Sequence, residues 1–255
     1  MPMKQKIREY FTILNTEDIE SLFAFLDEQA VLITPLYGKV KGRSKIKKTI
    51  VDLRAWLMKN NGKVTILRMI NSPERLIIEF DFKLPIDDKP IEVPVATVLD
   101  FHQEHIINIR AYHSIWPITG RHKIIEPLNT CTEIPVDITI LQSFFTALSQ
   151  GDISTLLSLF EDDAYIQEAG GFSYKHKTKQ ERETYFTSVL AQGPLPLKFC
   201  SLTVDNTLIG VEYQFDCWGT EAVTPQAGLV IFDISKNGKI QAIRFYDEVL
   251  PFQSE

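Results

Sequence analysis

The chain repeats itself once, and this repeat constrains its fold more than any other feature of the sequence. A shift of 134 positions aligns residues 10–33 with 144–167 without a gap, and seven of these 24 positions are identical. Unrelated sequences of average composition would share only about one or two. The same shift aligns residues 109–112 with 243–246 near the end of each repeat. The sequence therefore predicts two domains of one fold in tandem.

The two repeats are separated by a segment in which residues that break regular structure recur: Pro117, Gly120, Pro127 and Pro135. We therefore predict a first domain over residues 1–118, a linker over 119–136 and a second domain over 137–255. Domains of this size can each bury a core of their own.

Each repeat begins with helical patterns and continues with extended ones. Apolar residues at helical spacing predict three helices in the first repeat, over residues 7–14, 19–26 and 43–56. A strand is expected after the second helix, and four more follow the third: 30–34, 64–70, 76–84, 93–101 and 106–115. Helices followed by a meander of antiparallel strands are typical of an α+β fold.

The composition excludes several classes of protein. There are 33 acidic and 27 basic residues, giving a net charge of −6, which argues against a protein that binds nucleic acid or an anionic membrane surface. The three cysteines show no C-x-x-C spacing, which argues against a disulfide framework or a zinc site. No apolar run has the length of a membrane span, and the start lacks a signal-peptide pattern. We therefore expect a cytoplasmic protein.

Two motifs in the second repeat resemble a known family. The motif L-x-x-G-D-I-x-x-L-x-x-L-F-x-D-D-A over residues 148–164 resembles the opening of NTF2-like proteins, a superfamily that includes ketosteroid isomerases and SnoaL-like polyketide cyclases. The motif F-D-x-x-x-N-G-K-I-x-x-I-R-x-Y over residues 232–246 resembles their last two strands. The resemblance implies cone-shaped, cystatin-like α+β domains, each with about three helices packed on a curved antiparallel sheet. It also implies an intramolecular pseudo-dimer formed by self-pairing of the two domains, and it leaves a further homo-oligomer open.

The isomerases of this superfamily use a tyrosine on the first helix, an aspartate base after the first strand and a protonated aspartic acid on a later strand. The resemblance places three residues at these positions in the first domain: Tyr10, Thr34 and Val95. In the second domain the same positions hold Phe144, Glu168 and Gly228. Neither domain has the full set, so steroid isomerisation by that mechanism is not expected.

The second domain offers the sharpest candidate site. Phe245 and Asp247 share one face of the last strand, and the resemblance implies that this face points into the cone. We expect Glu168, Asp247 and Gln226 to meet there among aromatic residues. Two carboxylates in an apolar cavity raise each other's pKa, so one can act as a base and the other as an acid. The alternative is that Glu168 lies in water at a loop and Asp247 only ends a strand.

In the first domain the matching group is Tyr10, Thr34 and His113. His113 is either an acid–base group near neutral pH or a hydrogen-bonded packing residue. Arg110 lies on the opposite face of its strand, as Arg244 does, and both are expected to contact the other domain. The complete candidate set has Glu168 and Asp247 as catalytic residues. The substrate-binding candidates are Tyr10, Thr34, Val95, His113, Phe144, Gln226, Gly228 and Phe245.

These residues favour a protein that binds a small, largely apolar molecule in at least one cone. Acid–base isomerase, cyclase or hydratase chemistry in the second domain is compatible with them, but the sequence leaves open whether the protein is an enzyme. The alternative is a non-catalytic module whose cones are filled by side chains and whose outer surface binds protein, or a ligand carrier. No sequence feature calls for a nucleotide, a flavin or a metal.

Overall fold

Two separate units make up the protein. The computed structural model describes residues 23–86, 89–128, 138–170 and 175–248. Contacts divide the chain into one unit of Met1–Lys123 with Glu248–Glu255 and a second unit of Ile124–Asp247. The domain boundaries expected from the sequence stay a prediction, as does the pairing of the units as a pseudo-dimer.

The described part of the first unit contains one long helix, one short helix and six strands. The helices are α1 (Arg43–Lys59) and α2 (Trp116–Thr119). The strands are β1 (Leu26–Thr34), β2 (Gly38–Lys41), β3 (Lys63–Asn71), β4 (Arg75–Ile86), β5 (Lys89–His102) and β6 (His105–Tyr112). The predicted helix over residues 7–14 lies outside the described residues, as does the first half of the one over 19–26.

The second unit repeats the succession of helices and strands. Its helices are α3 (Thr139–Gln150), α4 (Ile153–Ser158) and α5 (Lys179–Val189). Its strands are β7 (Phe160–Gln167), β8 (Lys175–His176), β9 (Lys198–Asp205), β10 (Leu208–Trp218), β11 (Glu221–Ile234) and β12 (Ile240–Phe245). Helix α5 begins with a capping box, in which Thr178 and Glu181 each bond to the other's backbone amide.

Both sheets have the same strand order, β2-β1-β6-β5-β4-β3 in the first unit and β8-β7-β12-β11-β10-β9 in the second. The α+β class predicted from the sequence is confirmed. The expected antiparallel sheet is corrected in one respect, because β1 pairs with β6 in parallel and β7 pairs with β12 in parallel. All the other strand pairs are antiparallel.

The end of the predicted second helix also needs correction. Leu26 was expected to close that helix, but it is the first residue of β1, where it pairs with Ile106 of β6. Its side chain is fully buried in the core of the first unit. Phe160 begins β7 in the same way and pairs with Ile240. Burial of one large apolar side chain against the last strand therefore sets where each first strand begins.

One face of each sheet carries the core. On β4 the alternating residues Ile78, Phe80 and Phe82 belong to the core cluster of the first unit, together with Val95 of β5. In the second unit the corresponding face is covered by aromatic rings from the helices. Phe144 of α3 packs edge to face on Phe232 of β11, with ring centroids 5.1 Å apart. This helix-covered face, called the inner face below, is where the candidate site lies.

The described helices include none with both the length and the apolar character needed to span a membrane.

Candidate functional site

The last strand of the second unit directs alternate side chains to opposite faces of the sheet. Phe245 lies on the inner face, because its ring centroid is 6.2 Å from that of Tyr185 on helix α5. Arg244 points the other way, and its Nη1 is 3.5 Å from the hydroxyl of Tyr165. Asp247 follows two residues after Phe245 and therefore continues along the inner face.

Glu168 follows the last residue of β7, and a short strand gives it a partner. Strand β8 pairs with β7 so that His176 stands opposite Ile166. This pairing brings Nε2 of His176 to 2.6 Å from Oε1 of Glu168. The Glu168 side chain is 39% exposed and that of His176 is 24% exposed. The two side chains form a hydrogen-bonded pair that solvent can reach.

Asp247 accepts a hydrogen bond from a tyrosine two strands away. The hydroxyl of Tyr213, on β10, donates to Oδ2 of Asp247 over 2.6 Å. Tyr213 stands opposite Gly228 in the β10–β11 ladder. A Cβ atom at Gly228 would lie 2.6 Å from both Cζ and Oη of Tyr213, and 2.8 Å from Cβ of Asp247. The absence of a side chain at Gly228 therefore makes room for the tyrosine to reach the carboxylate.

The hydroxyl of Tyr185 lies in the electric field of both carboxylates. Burial raises the pKa of Tyr185 well above its usual value of 10, and the carboxylates of Glu168 and then Asp247 raise it further. The ring centroid of His176 is 4.9 Å from that of Tyr185. The phenol therefore stays protonated at neutral pH, and its hydroxyl is a neutral hydrogen-bond donor in the field of both carboxylates.

The other expected binding residues of the second unit take different positions. Phe144 is fully buried, with its ring 5.1 Å from Phe232, so it is a core residue in this structure. Gln226 is 3% exposed, lies opposite Phe215 on the inner face, and donates from Nε2 to the carbonyl of Thr224 over 3.4 Å. Two of the four candidates lie beside the site: Phe245 is next to Tyr185, and Gly228 faces Tyr213 and Asp247.

The first unit has no carboxylate at the described equivalents of the site. Val95, which corresponds to Gly228, is 1% exposed in the core. Thr34, which corresponds to Glu168, accepts a hydrogen bond at Oγ1 from the Tyr37 amide over 2.9 Å and so closes a turn. Burial lowers the pKa of His113 to about 4, although its bond to the Ser114 carbonyl acts in the opposite direction. His113 is therefore neutral at pH 7. Tyr10 lies outside the described residues.

Sequence reasoning missed three residues of the second site: His176, Tyr185 and Tyr213. His176 lies in a strand of two residues that pairs with β7, and the sequence offers no signal for so short a strand. The helical pattern of α5 was a signal that could have indicated Tyr185, because this residue is next to Phe186, which is 1% exposed and belongs to the core. Tyr213 could be identified only from the register of β10 against β11, because this register places it opposite Gly228.

Comparison with known proteins finds similarity to one domain family. Residues 7–109 match the family model of the SnoaL-like domain. No curated protein matches the chain. An NTF2-like protein of unknown function from Cytophaga hutchinsonii is 17% identical with a TM-score of 0.37, and the match covers 43% of this chain and 95% of that one.

Two other solved structures are similar to the chain over a comparable length. One is a hypothetical protein with a ketosteroid isomerase-like fold from Catenulispora acidiphila, in complex with trimethylamine. It is 17% identical with a TM-score of 0.37, and the match covers 46% of this chain and 90% of that one. The other, an NTF2-like protein from Anabaena variabilis, is 19% identical with a TM-score of 0.37 over 43% of this chain and 85% of that one. Residues 7–109 are thus similar to the SnoaL-like domain family, and the second unit has the same strand order as the first.

Proposed function

We propose that the second unit binds a small, largely apolar molecule and transfers a proton on it, as isomerases, cyclases and hydratases do. The observation that carries this proposal is a continuous group of contacts on the inner face: His176 bonds to Glu168 over 2.6 Å, and the ring of His176 lies 4.9 Å from that of Tyr185. Two proton-transfer groups and a neutral donor in one cluster are the parts that acid–base catalysis requires.

Glu168 is the proposed base. Its carboxylate accepts a proton from a carbon next to a carbonyl group, and the electrons of the broken C–H bond form an enolate. Oε1 of Glu168 lies 2.6 Å from Nε2 of His176, so the imidazole is positioned to share the proton. Asp247, which accepts a hydrogen bond from the hydroxyl of Tyr213, is the second proton-transfer group: it takes up a proton from solvent water and delivers it to the ligand.

Tyr185 is the proposed donor to the oxygen on which charge develops. Its raised pKa keeps the phenol protonated, so it can donate a hydrogen bond to an enolate oxygen without losing its own proton. The first unit has an apolar Val95 and a neutral His113 at the matching positions. For that unit we favour the alternative function, a non-catalytic or ligand-carrier domain.

Exchange of carbon-bound hydrogen tests the proposal without knowledge of the natural substrate. We expect the full chain to accelerate deuterium exchange next to the carbonyl of 2-tetralone in D₂O, followed by NMR. Glu168→Gln should lower this acceleration by about 100-fold, because a positioned base contributes roughly 10²–10⁴ in rate. Circular dichroism should show an unchanged fold.

The matched control is Glu183→Gln, which removes an exposed carboxylate from helix α5, the same helix that carries Tyr185. This variant should exchange deuterium at the wild-type rate. Full exchange activity in Glu168→Gln would remove Glu168 from the mechanism, and a wild-type rate equal to that of buffer would refute the proton-transfer function.

A further inference from the structure

We infer that the site of the second unit selects an organic cation, an ammonium group carried on a small apolar body. This inference rests on the proposed function and names the chemical class of its ligand. It is drawn from the distribution of charge between the two faces of the sheet and from the aromatic rings beside the two carboxylates.

The basic side chains of the second sheet lie on the face opposite to the site. Arg244 and Lys175 both stand beside Gln167 in the ladder, and neighbours across a ladder share a face. Both also contact Tyr165, since Nη1 of Arg244 is 3.5 Å from its hydroxyl and Nζ of Lys175 is 5.0 Å from its ring centroid. Lys198 stands beside Gln214, one residue away from the inward-facing Tyr213, and binds Asp216.

The inner face has the opposite character. Among the described residues of strands β7 to β12, no lysine or arginine lies on the face that carries Phe245 and Asp247. On the helix side, Arg182 of α5 is the buried basic residue of that helix. Its guanidinium binds the carbonyl of Ala164 and, over 2.9 Å, that of Lys177. Arg182 is therefore engaged in holding the first strand to the helix.

Aromatic rings adjoin the carboxylates on this face. The ring of Tyr185 has His176 at 4.9 Å and Phe245 at 6.2 Å, measured between centroids. The faces of aromatic rings attract a cation that lies within about 6 Å of the centroid. Glu168 is 39% exposed, so a ligand can reach its carboxylate from solvent.

The raised pKa of Tyr185 agrees with this distribution of charge between the two faces of the sheet. Both carboxylates raise the pKa of Tyr185, which means that the potential at its hydroxyl is negative. A neutral ligand would displace water from the carboxylates without replacing the lost hydration, and an anion would be repelled. An ammonium ion instead supplies hydrogen-bond donors and the opposite charge, while its apolar body contacts the rings.

Two probes of matched size and shape test the charge preference. Benzylamine is a cation at pH 7.5, whereas benzyl alcohol is neutral, and both dissolve well in water. We expect isothermal titration of the full chain to give at least about tenfold tighter binding of benzylamine. In Glu168→Gln and in Asp247→Asn the two affinities should approach each other within about threefold. Glu183→Gln should keep the wild-type preference.

Each result separates the inference from the proposed function. Equal affinity of the wild type for the two probes would overturn the cation preference and leave the proposed function standing. Absence of benzylamine binding would overturn the inference, whereas the deuterium exchange of 2-tetralone decides the proposed function on its own. A preference for benzylamine that survives both Glu168→Gln and Asp247→Asn would assign the cation to another surface and overturn the inference.

Discussion

Replacing Gly228 by alanine is expected to lower the free energy of unfolding of the second unit by about 1–3 kcal/mol, the usual range for an overpacked core. The new methyl group would lie 2.6 Å from Cζ and Oη of Tyr213 and 2.8 Å from Cβ of Asp247. Tyr213 is 1% exposed and has little space to move. Its hydrogen bond to Asp247 should therefore be lost, and the protein should no longer bind benzylamine. Urea denaturation and titration measure the two effects.

A double-mutant cycle separates this clash from other effects of alanine. In a Tyr213→Ala background the ring that the methyl group meets is gone, so Gly228→Ala should cost less than half of its cost in the wild type. The same cost in both backgrounds would show that Tyr213 is not what requires glycine at this position. Val95 supports the expectation, because the first unit holds a larger side chain opposite Phe80, which has no hydroxyl.

Replacing Asp100 by alanine is expected to lower the free energy of unfolding of the first unit by about 3–5 kcal/mol, because it removes a carboxylate that binds two guanidinium groups, one of them buried. Nη1 and Nη2 of Arg110 both bind the Asp100 carboxylate, the latter over 3.1 Å, and Nε of Arg75 binds it over 2.6 Å. Arg110 is 6% exposed. Urea denaturation measures the loss.

The effect of Asp100→Ala should depend on pH. Burial alone would raise the pKa of Asp100, but the hydrogen bonds and charges of Arg110 and Arg75 outweigh it and lower the pKa below its ordinary value. A carboxyl whose pKa is lower in the folded than in the unfolded chain adds stability above its unfolded pKa. The difference between wild type and variant should thus be complete above about pH 5 and shrink in stronger acid.

An exposed ion pair provides the control for the Asp100 variant. Asp216 binds Lys198 on the second sheet with 44% and 51% of these side chains exposed. Asp216→Asn should change stability by at most about 1 kcal/mol, because solvent screens such a pair. A similar small change in Asp100→Ala would contradict the role given to burial.

Arg110→Ala should also lower the melting temperature, because it removes the guanidinium group that binds Asp100.

Much of the fold could be predicted from residue patterns because the responsible forces act locally. The strands β3 to β6 were expected within a few residues of their bounds, since alternating apolar residues must share one face. The short strands β2 and β8 were missed. Two to four residues carry no detectable alternation, and their pairing is decided by the neighbouring strand. The parallel pairing of the first and last strands of each sheet was missed, because these strands are far apart in the sequence and no local pattern indicates that they pair.

The candidate site was predictable only in part for the same reason. Alternation along β12 places Asp247 beside Phe245, and the match between repeats singles out Glu168. The partners of these carboxylates come from elsewhere in the sheet. His176 reaches Glu168 through the register of β8. Tyr213 reaches Asp247 because of the glycine that faces it across the ladder. Such contacts depend on the register between strands, which a single sequence does not show.

The parallel pairing of first and last strands has a consequence for the order of folding. Gln167 and Arg244 are neighbours in the sheet although more than half of the second unit separates them along the chain. A chain emerging from the ribosome therefore cannot join its two carboxylates until β12 has been synthesised. Closing so long a loop costs entropy before any contact repays it, so this strand pair is expected to form late and slowly. The ability of the second unit to bind its ligand should consequently return last during refolding, after the meander of β9, β10 and β11 has formed.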